Sequence, residues 1–239
     1  MNENQKNIDS DEIKKFDNLA SRWWDPEGDF KPLHQINPLR LDYICRHNDL
    51  KDLKVVDIGC GGGILSEAMS KKGAFVTGVD MAEKALNVAK LHQIESKTTV
   101  DYRLSTAEEL SASKKEGFDV VTCLEMLEHV PQPADIIKSC ADLVKPGGSV
   151  YFSTINKNLK SFLYAIVGAE HLLKLLPIGT HEYSKFIKPS EIDTWARDSM
   201  LELNDSVGLA YNPIFEKYSL TKNLDVNYMM HFTKPSSNE

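Results

Sequence analysis

Two clusters of residues carry the chemistry this 239-residue chain can do. The first is Asp57-Ile58-Gly59-Cys60-Gly61-Gly62-Gly63-Ile64, set between a β-branched run and a helix-forming one. Glycines let the backbone turn sharply and let a ligand approach the main chain with no Cβ in the way. Asp80 lies 21 residues beyond Gly59. A carboxylate closing the next strand accepts hydrogen bonds from both hydroxyls of a ribose. Loop and acid together point to a ligand containing adenosine. The spacing is not G-x-G-x-x-G, because Ile64 occupies the sixth place. A dinucleotide and its pyrophosphate are therefore disfavoured, and with them an NAD-dependent oxidoreductase. No G-x-x-x-x-G-K-[ST] occurs, which excludes a P-loop.

The second cluster is Glu125, Glu128 and His129. If the segment is helical, offsets of i, i+3 and i+4 bring all three to one face. Two carboxylates and an imidazole there can hold a divalent cation, with Mg²⁺ the natural choice for that donor set. Without a metal, His129 could itself take a proton from an acceptor hydroxyl, since its unperturbed pKa lies near neutral pH. A plainer alternative is two carboxylates favoured by a helix start, with His129 packing locally. Metal and bare base both stay open at this level.

The elements that must position these residues alternate. Asp9-Ser10 offers an N-cap for a helix carrying Ile13, Phe16, Ala20 and Trp23, closed by Pro26 and Gly28. A second helix is expected after Pro38, and residues 1–50 together read as a helical cap. Strands are expected at 54–59, 74–80, 99–103, 118–124 and 149–154, with helices at 65–72, 84–93 and 135–144 between them. The run from Phe118 to Leu124 is apolar and β-branched, as suits a strand buried on both faces. Strands alternating with helices argue for a parallel sheet with right-handed crossovers. A long insertion follows (156–188), then a helix at 189–199 and strands near 201–208 and 226–232. The expectation is one α/β domain over 1–239: a cap, a cofactor-binding core at 53–155, the insertion, and a C-terminal helix with strands at 189–239.

Composition narrows the class. The chain holds 28 Lys and Arg against 35 Asp and Glu, net −7, so it makes a poor generic ligand for nucleic acid. Cys45, Cys60, Cys123 and Cys140 form no C-x-x-C pair and no metal-ligand spacing, and read as reduced thiols of a cytoplasmic protein. The opening MNENQKNIDSDEIKK lacks the apolar region of a secretory signal, and no run of eighteen uncharged apolar residues occurs.

With Asp57-x-Gly59-x-Gly61-x-Gly63, Asp80 and Leu143-Val144-Lys145-Pro146-Gly147-Gly148 in place, residues 53–155 resemble the S-adenosylmethionine-dependent class I methyltransferases. That resemblance implies a Rossmann-like, seven-stranded, mostly parallel sheet with helices on both faces and the last strand inserted antiparallel. It also implies that Gly59 and Gly61 pass by the cofactor, that Asp80 binds its ribose and that Leu124 lines the transfer site. A narrower resemblance runs through Asn37-Pro38-Leu39-Arg40-Leu41, Cys123 to Val130, Lys185 to Pro189 and Asp225 to Met229. These segments are similar to the bacterial ubiquinone-biosynthesis O-methyltransferase family. The likeness implies methylation of phenolic hydroxyls on polyprenylated catechol and demethylubiquinol intermediates, with another small lipophilic acceptor as the alternative. It makes Glu125, Glu128 and His129 candidate ligands of a Mg²⁺ ion, His129 and Glu125 candidate catalytic residues, and Arg40 a grip for the methionine carboxylate. A departure is Leu124, where relatives often carry Met; Leu keeps the wall apolar.

The insertion at 157–188 is apolar, and its five lysines against two glutamates give it +3, leaving −10 elsewhere. Such a segment can lie on an anionic membrane surface or admit a polyprenyl tail, or else be a core-packing insertion with a wet lysine face. The partners expected are therefore a polyprenylated phenol or quinol, the inner face of the cytoplasmic membrane as a peripheral contact, and a biosynthetic complex, with no nucleic acid.

Overall fold

The computed structural model describes residues 7–157, 185–212 and 214–236. The hydrophobic insertion, apart from its ends, lies outside the described residues. Helix α1 (Ser10–Leu19) is capped by Asp9, whose side chain accepts from the backbone N–H groups of Asp11 and Glu12. A 3₁₀ turn (Ala20–Arg22) carries the chain to α2 (Lys31–His47). That helix starts well before Pro38 and runs through it. Proline only removes one N–H from the ladder, and Ile36, Arg40, Tyr43 and Ile44 bury one side of the helix around it.

The central unit then alternates: β1 (Lys54–Ile58), α3 (Ile64–Lys71), β2 (Phe75–Asp80), α4 (Glu83–Ser96), β3 (Val100–Leu104), α5 (Ala107–Ser113), β4 (Phe118–Leu124), α6 (Pro133–Leu143) and β5 (Val144–Ile155). After the insertion come α7 (Pro189–Asp198), β6 (Glu202–Asn212), β7 (Lys217–Thr221) and β8 (Asn227–Thr233). Among the described residues the sheet has eight strands, in the order β3-β2-β1-β4-β5-β8-β6-β7. Strands β1 to β5 are parallel, and β8 inserts antiparallel between β5 and β6. The class I arrangement is therefore present, with one strand more than the seven expected: β7 hairpins antiparallel onto β6 at the edge.

Both faces are covered. On one, α6 and α7 pack Ile136, Ile137, Ile192 and Ala196 against Val121, Phe152 and Phe232. On the other, α2, α3 and α4 set Tyr43, Met69 and Leu86 against Val55, Val120 and Tyr151. Coverage on both sides explains why β4 is apolar almost throughout. It also places the carboxyl ends of β1, β2 and β4 at one rim, where open α/β sheets bind ligands.

Candidate functional site

At the rim, β1 runs into the glycine loop. Gly59, Gly61 and Gly63 have φ of +73°, +51° and +88°, a region that L side chains adopt only at a cost. Gly63 is the N-cap of α3, so the loop feeds directly into a helix start. The Gly61 N–H donates to Asp80 Oδ2 at 2.7 Å and the Ala82 N–H to Oδ1 at 2.8 Å. These bonds tie the loop to the end of β2. Asp80 remains half-buried, and burial holds its carboxyl above the usual range despite its backbone donors.

The loop is roofed by two tryptophans. A Cβ on Gly61 or Gly62 would enter the Trp23 indole. Trp23 stacks on Phe30 at 4.1 Å. Trp24 donates from Nε1 to the Gly62 carbonyl at 2.9 Å and stacks on His92 at 3.4 Å. The helical cap is thus packed onto the glycine loop.

Beyond β4 the chain turns sharply. Leu124 is 8% exposed, and Glu125 follows with φ +55°. That left-handed residue lies ahead of the 3₁₀ turn Leu127–His129. The single helical face expected for Glu125, Glu128 and His129 is therefore not formed, and each side chain finds different partners. Glu125 Oε1 accepts from Arg40 Nη2 at 2.7 Å and from the Ser153 hydroxyl at 2.7 Å; Asn227 Nδ2 reaches both of its oxygens, at 3.1 and 3.2 Å. Glu128 is buried and accepts from the Thr154 hydroxyl at 2.8 Å; burial, reinforced by Glu125, pushes its carboxyl up to about 7. His129 faces Glu12 of α1, Nδ1 to Oε2 at 3.0 Å. Burial pulls its pKa down, but Glu12 and the carboxylates of Glu128 and Glu125 outweigh that, so it is raised.

Among the described residues, no group of three or more His, Cys, Asp or Glu side chains is gathered as a metal site. Glu125 accepts from Arg40, Glu128 from Thr154, and His129 pairs with Glu12, so as arranged the three side chains do not present one donor set for the Mg²⁺ ion that the resemblance implied. Arg40 is where the cofactor grip was expected, and it is buried. Its Nη2 is taken by Glu125, while its Nε is buried with no hydrogen-bond partner. Met126 packs on Gly59, whose Cβ would come within 2.6 Å of Met126 Cγ, so the segment beyond β4 abuts the glycine loop.

Gly59, Gly61 and Asp80 are thus joined, Arg40 and Glu125 form an ion pair that spacing could not announce, and Leu124 is buried at the end of β4. Sequence reasoning missed Glu12, Ser153 and Thr154 and gave Asn227 no role. A signal existed for Glu12: it lies four residues before Phe16, on the inward stripe of α1, where a carboxylate is out of place.

The family model described as "Methyltransferase domain" matches residues 56–152. The chain is 57% identical over 230 residues to the ubiquinone biosynthesis O-methyltransferase of Hahella chejuensis, covering 96% of this chain and 97% of that protein. It is 58% identical over 230 residues to the protein of the same name from Stutzerimonas stutzeri, covering 96% and 99%. Among solved structures, it resembles magnesium protoporphyrin IX methyltransferase from Synechocystis PCC 6803 with bound SAH, with TM-score 0.69 at 20% identity over 92% of this chain and 94% of that one.

Proposed function

The chain belongs to the ubiquinone biosynthesis O-methyltransferases, and on that premise we propose that it methylates phenolic hydroxyls of polyprenylated catechol and demethylubiquinol intermediates, using S-adenosylmethionine. The observation that carries this reading is the glycine loop clamped by Asp80 beside Arg40, whose buried Nε lacks a partner. A buried guanidinium with an unused donor suits a carboxylate, and a strand-end acid suits a ribose. The residues present therefore fit an adenosine amino-acid ligand. When bound, S-adenosylmethionine supplies a methyl carbon activated by its sulfonium.

Methyl transfer is an in-line displacement, so positioning is the main catalytic contribution. Asp80 takes the ribose hydroxyls, and Gly59 and Gly61 allow close approach of the backbone. Arg40 holds the methionine carboxylate, with Glu125 fixing the guanidinium from behind and Ser153 and Asn227 in turn fixing Glu125. Glu125 is in this reading a residue that acts through Arg40. Leu124 gives the transfer site an apolar wall. His129 takes the phenolic proton on Nε2 as the oxygen attacks. The donors do not fit a Mg²⁺ ion as arranged, and no step is routed through one.

A peripheral contact with an anionic membrane surface through 157–188, and a place in a biosynthetic complex, complete the proposal. The composition of that segment and the lipophilicity of the acceptor support them. Among the described residues, no helix is long and apolar enough to cross a membrane. The test is methyl transfer to a short-tailed demethylubiquinol against a panel of soluble phenols. Preference for the prenylated acceptor is expected, and equal turnover on simple phenols would replace this substrate class with the alternative one.

A further inference from the structure

Helix α1 buries a carboxylate, that of Glu12. The Asp11 side chain is 90% exposed, whereas Glu12 as a whole is 7% exposed. Glu12 Oε2 lies 3.0 Å from Nδ1 of His129. Its Oε1 accepts from Lys185 Nζ at 2.9 Å and from Lys15 Nζ at 3.2 Å. One helical turn further on, Phe16 sets its ring edgewise to His129, centroids 5.1 Å apart at 85°, and lies 6.1 Å from Trp23 over the glycine loop. The imidazole is thus held at two points by an element 117 residues distant in sequence.

Anchoring of the helix does not by itself call for this arrangement. Asp9 already caps α1. The helix region is also anchored by Asp17, which accepts from the Lys84 N–H at 2.9 Å, and by Asn7, which exchanges hydrogen bonds with the Gln132 backbone at 2.8 and 2.9 Å. A buried ion pair is in general no more stabilising than well-packed apolar groups of the same shape. What a carboxylate on one imidazole nitrogen does well is fix which nitrogen carries the proton and where the ring points.

We propose that Glu12 is a positioning residue for His129: by accepting the Nδ1–H it fixes the tautomer and ring orientation that present Nε2 to the acceptor hydroxyl. The proposal rests on the reading of His129 as proton acceptor. The proton lost by the phenol goes to Nε2, the phenolic oxygen bonds the methyl carbon, and the carbon–sulfur bond opens to release S-adenosylhomocysteine.

The experiment compares Glu12→Met, Glu12→Gln and His129→Gln in the full chain, together with the ¹⁵N spectrum of the wild-type His129 ring. Glu12→Met is expected to lower kcat on the order of 10–100-fold, with acceptor KM and S-adenosylhomocysteine affinity within about threefold. Glu12→Gln, whose amide oxygen still accepts a hydrogen bond, falls between. In the wild-type spectrum the neutral ring carries its proton on Nδ1. A proton on Nε2 instead overturns the proposal even if the variants fold poorly. So does a kcat unchanged in Glu12→Met but lost in His129→Gln. Full turnover in His129→Gln overturns the proton-acceptor reading itself, and this proposal with it.

Discussion

The pairing of Arg40 with Glu125 makes a prediction in which stability and ligand binding separate. The two side chains are 7% and 19% exposed, with 2.7 Å between Nη2 and Oε1. Arg40→Met strips the cation from a mostly buried carboxylate that keeps the Ser153 and Asn227 donors. Breaking a buried pair on one side costs about 3–5 kcal/mol, and those two donors place this case near about 3. For a chain of this size, each kcal/mol shifts Tm by about 2–4 °C, so a fall of roughly 6–12 °C is expected. Adding Glu125→Gln removes the stranded charge, and the double variant should recover most of that loss. Ligand affinity should not recover. If Arg40 Nε holds the methionine carboxylate, losing it costs about 1.5–3 kcal/mol, or roughly 10–150-fold in the Kd of S-adenosylhomocysteine, in single and double variants alike. Scanning calorimetry and isothermal titration read the two effects separately. A double variant that binds with wild-type affinity would refute the assignment and leave Arg40 as the counter-ion of Glu125 only.

Other consequences follow from the same geometry. Asp80→Ala should weaken S-adenosylhomocysteine binding by roughly 10–100-fold, since charged hydrogen bonds to the ribose and the clamp on Gly61 are lost together; a Kd within twofold of wild type would remove the ribose role. Treatment with EDTA should leave turnover within about twofold, whereas a large loss restored by Mg²⁺ alone would return a cation to Glu125, Glu128 and His129. His231 is 4% exposed, and burial, aided by His47 beside it, pushes its pKa down to about 4 from 6.5. The unfolded chain therefore binds that proton first, and stability falls as pH drops from about 6.5 towards 4, by about 3 kcal/mol at most. Asp57, pushed up to about 6 by burial, runs the other way: its share of stability fades as pH rises from 3.8 to about 6. Urea unfolding of His231→Gln should thus lose the decline between pH 6.5 and 5, and an acid limb as steep as the wild type's would acquit His231.

Legibility in the sequence followed how local each signal was. Strand β4 was readable to the residue, because a strand buried on both faces is an unbroken apolar run between polar flanks. The glycine loop and Asp80 were readable because positive φ leaves a glycine signature and strand ends fall at a fixed interval. Helix α5 was missed although Thr106 and Glu109 form a capping box that the sequence displays. Pro38 misled the placement of α2, since packing of the flanking residues overrode a local rule. The i, i+3, i+4 argument for one helical face failed for a reason no spacing reveals: Glu125 adopts φ +55° ahead of a 3₁₀ turn. Glu12 and His129 meet only through tertiary packing of α1, which sequence periodicity orients but does not dock.

The central claim is that this site moves a methyl group onto a phenolic oxygen of a prenylated ring. The most direct test incubates the full chain with S-adenosylmethionine carrying a labelled methyl group and with a prenylated catechol, beside its tail-less counterpart, and locates the label by mass spectrometry. The account predicts label on the ring oxygen, S-adenosylhomocysteine released in equal amount, and a higher kcat/KM for the prenylated acceptor. Tight binding of S-adenosylhomocysteine with no labelled product, or label on ring carbon, would contradict it.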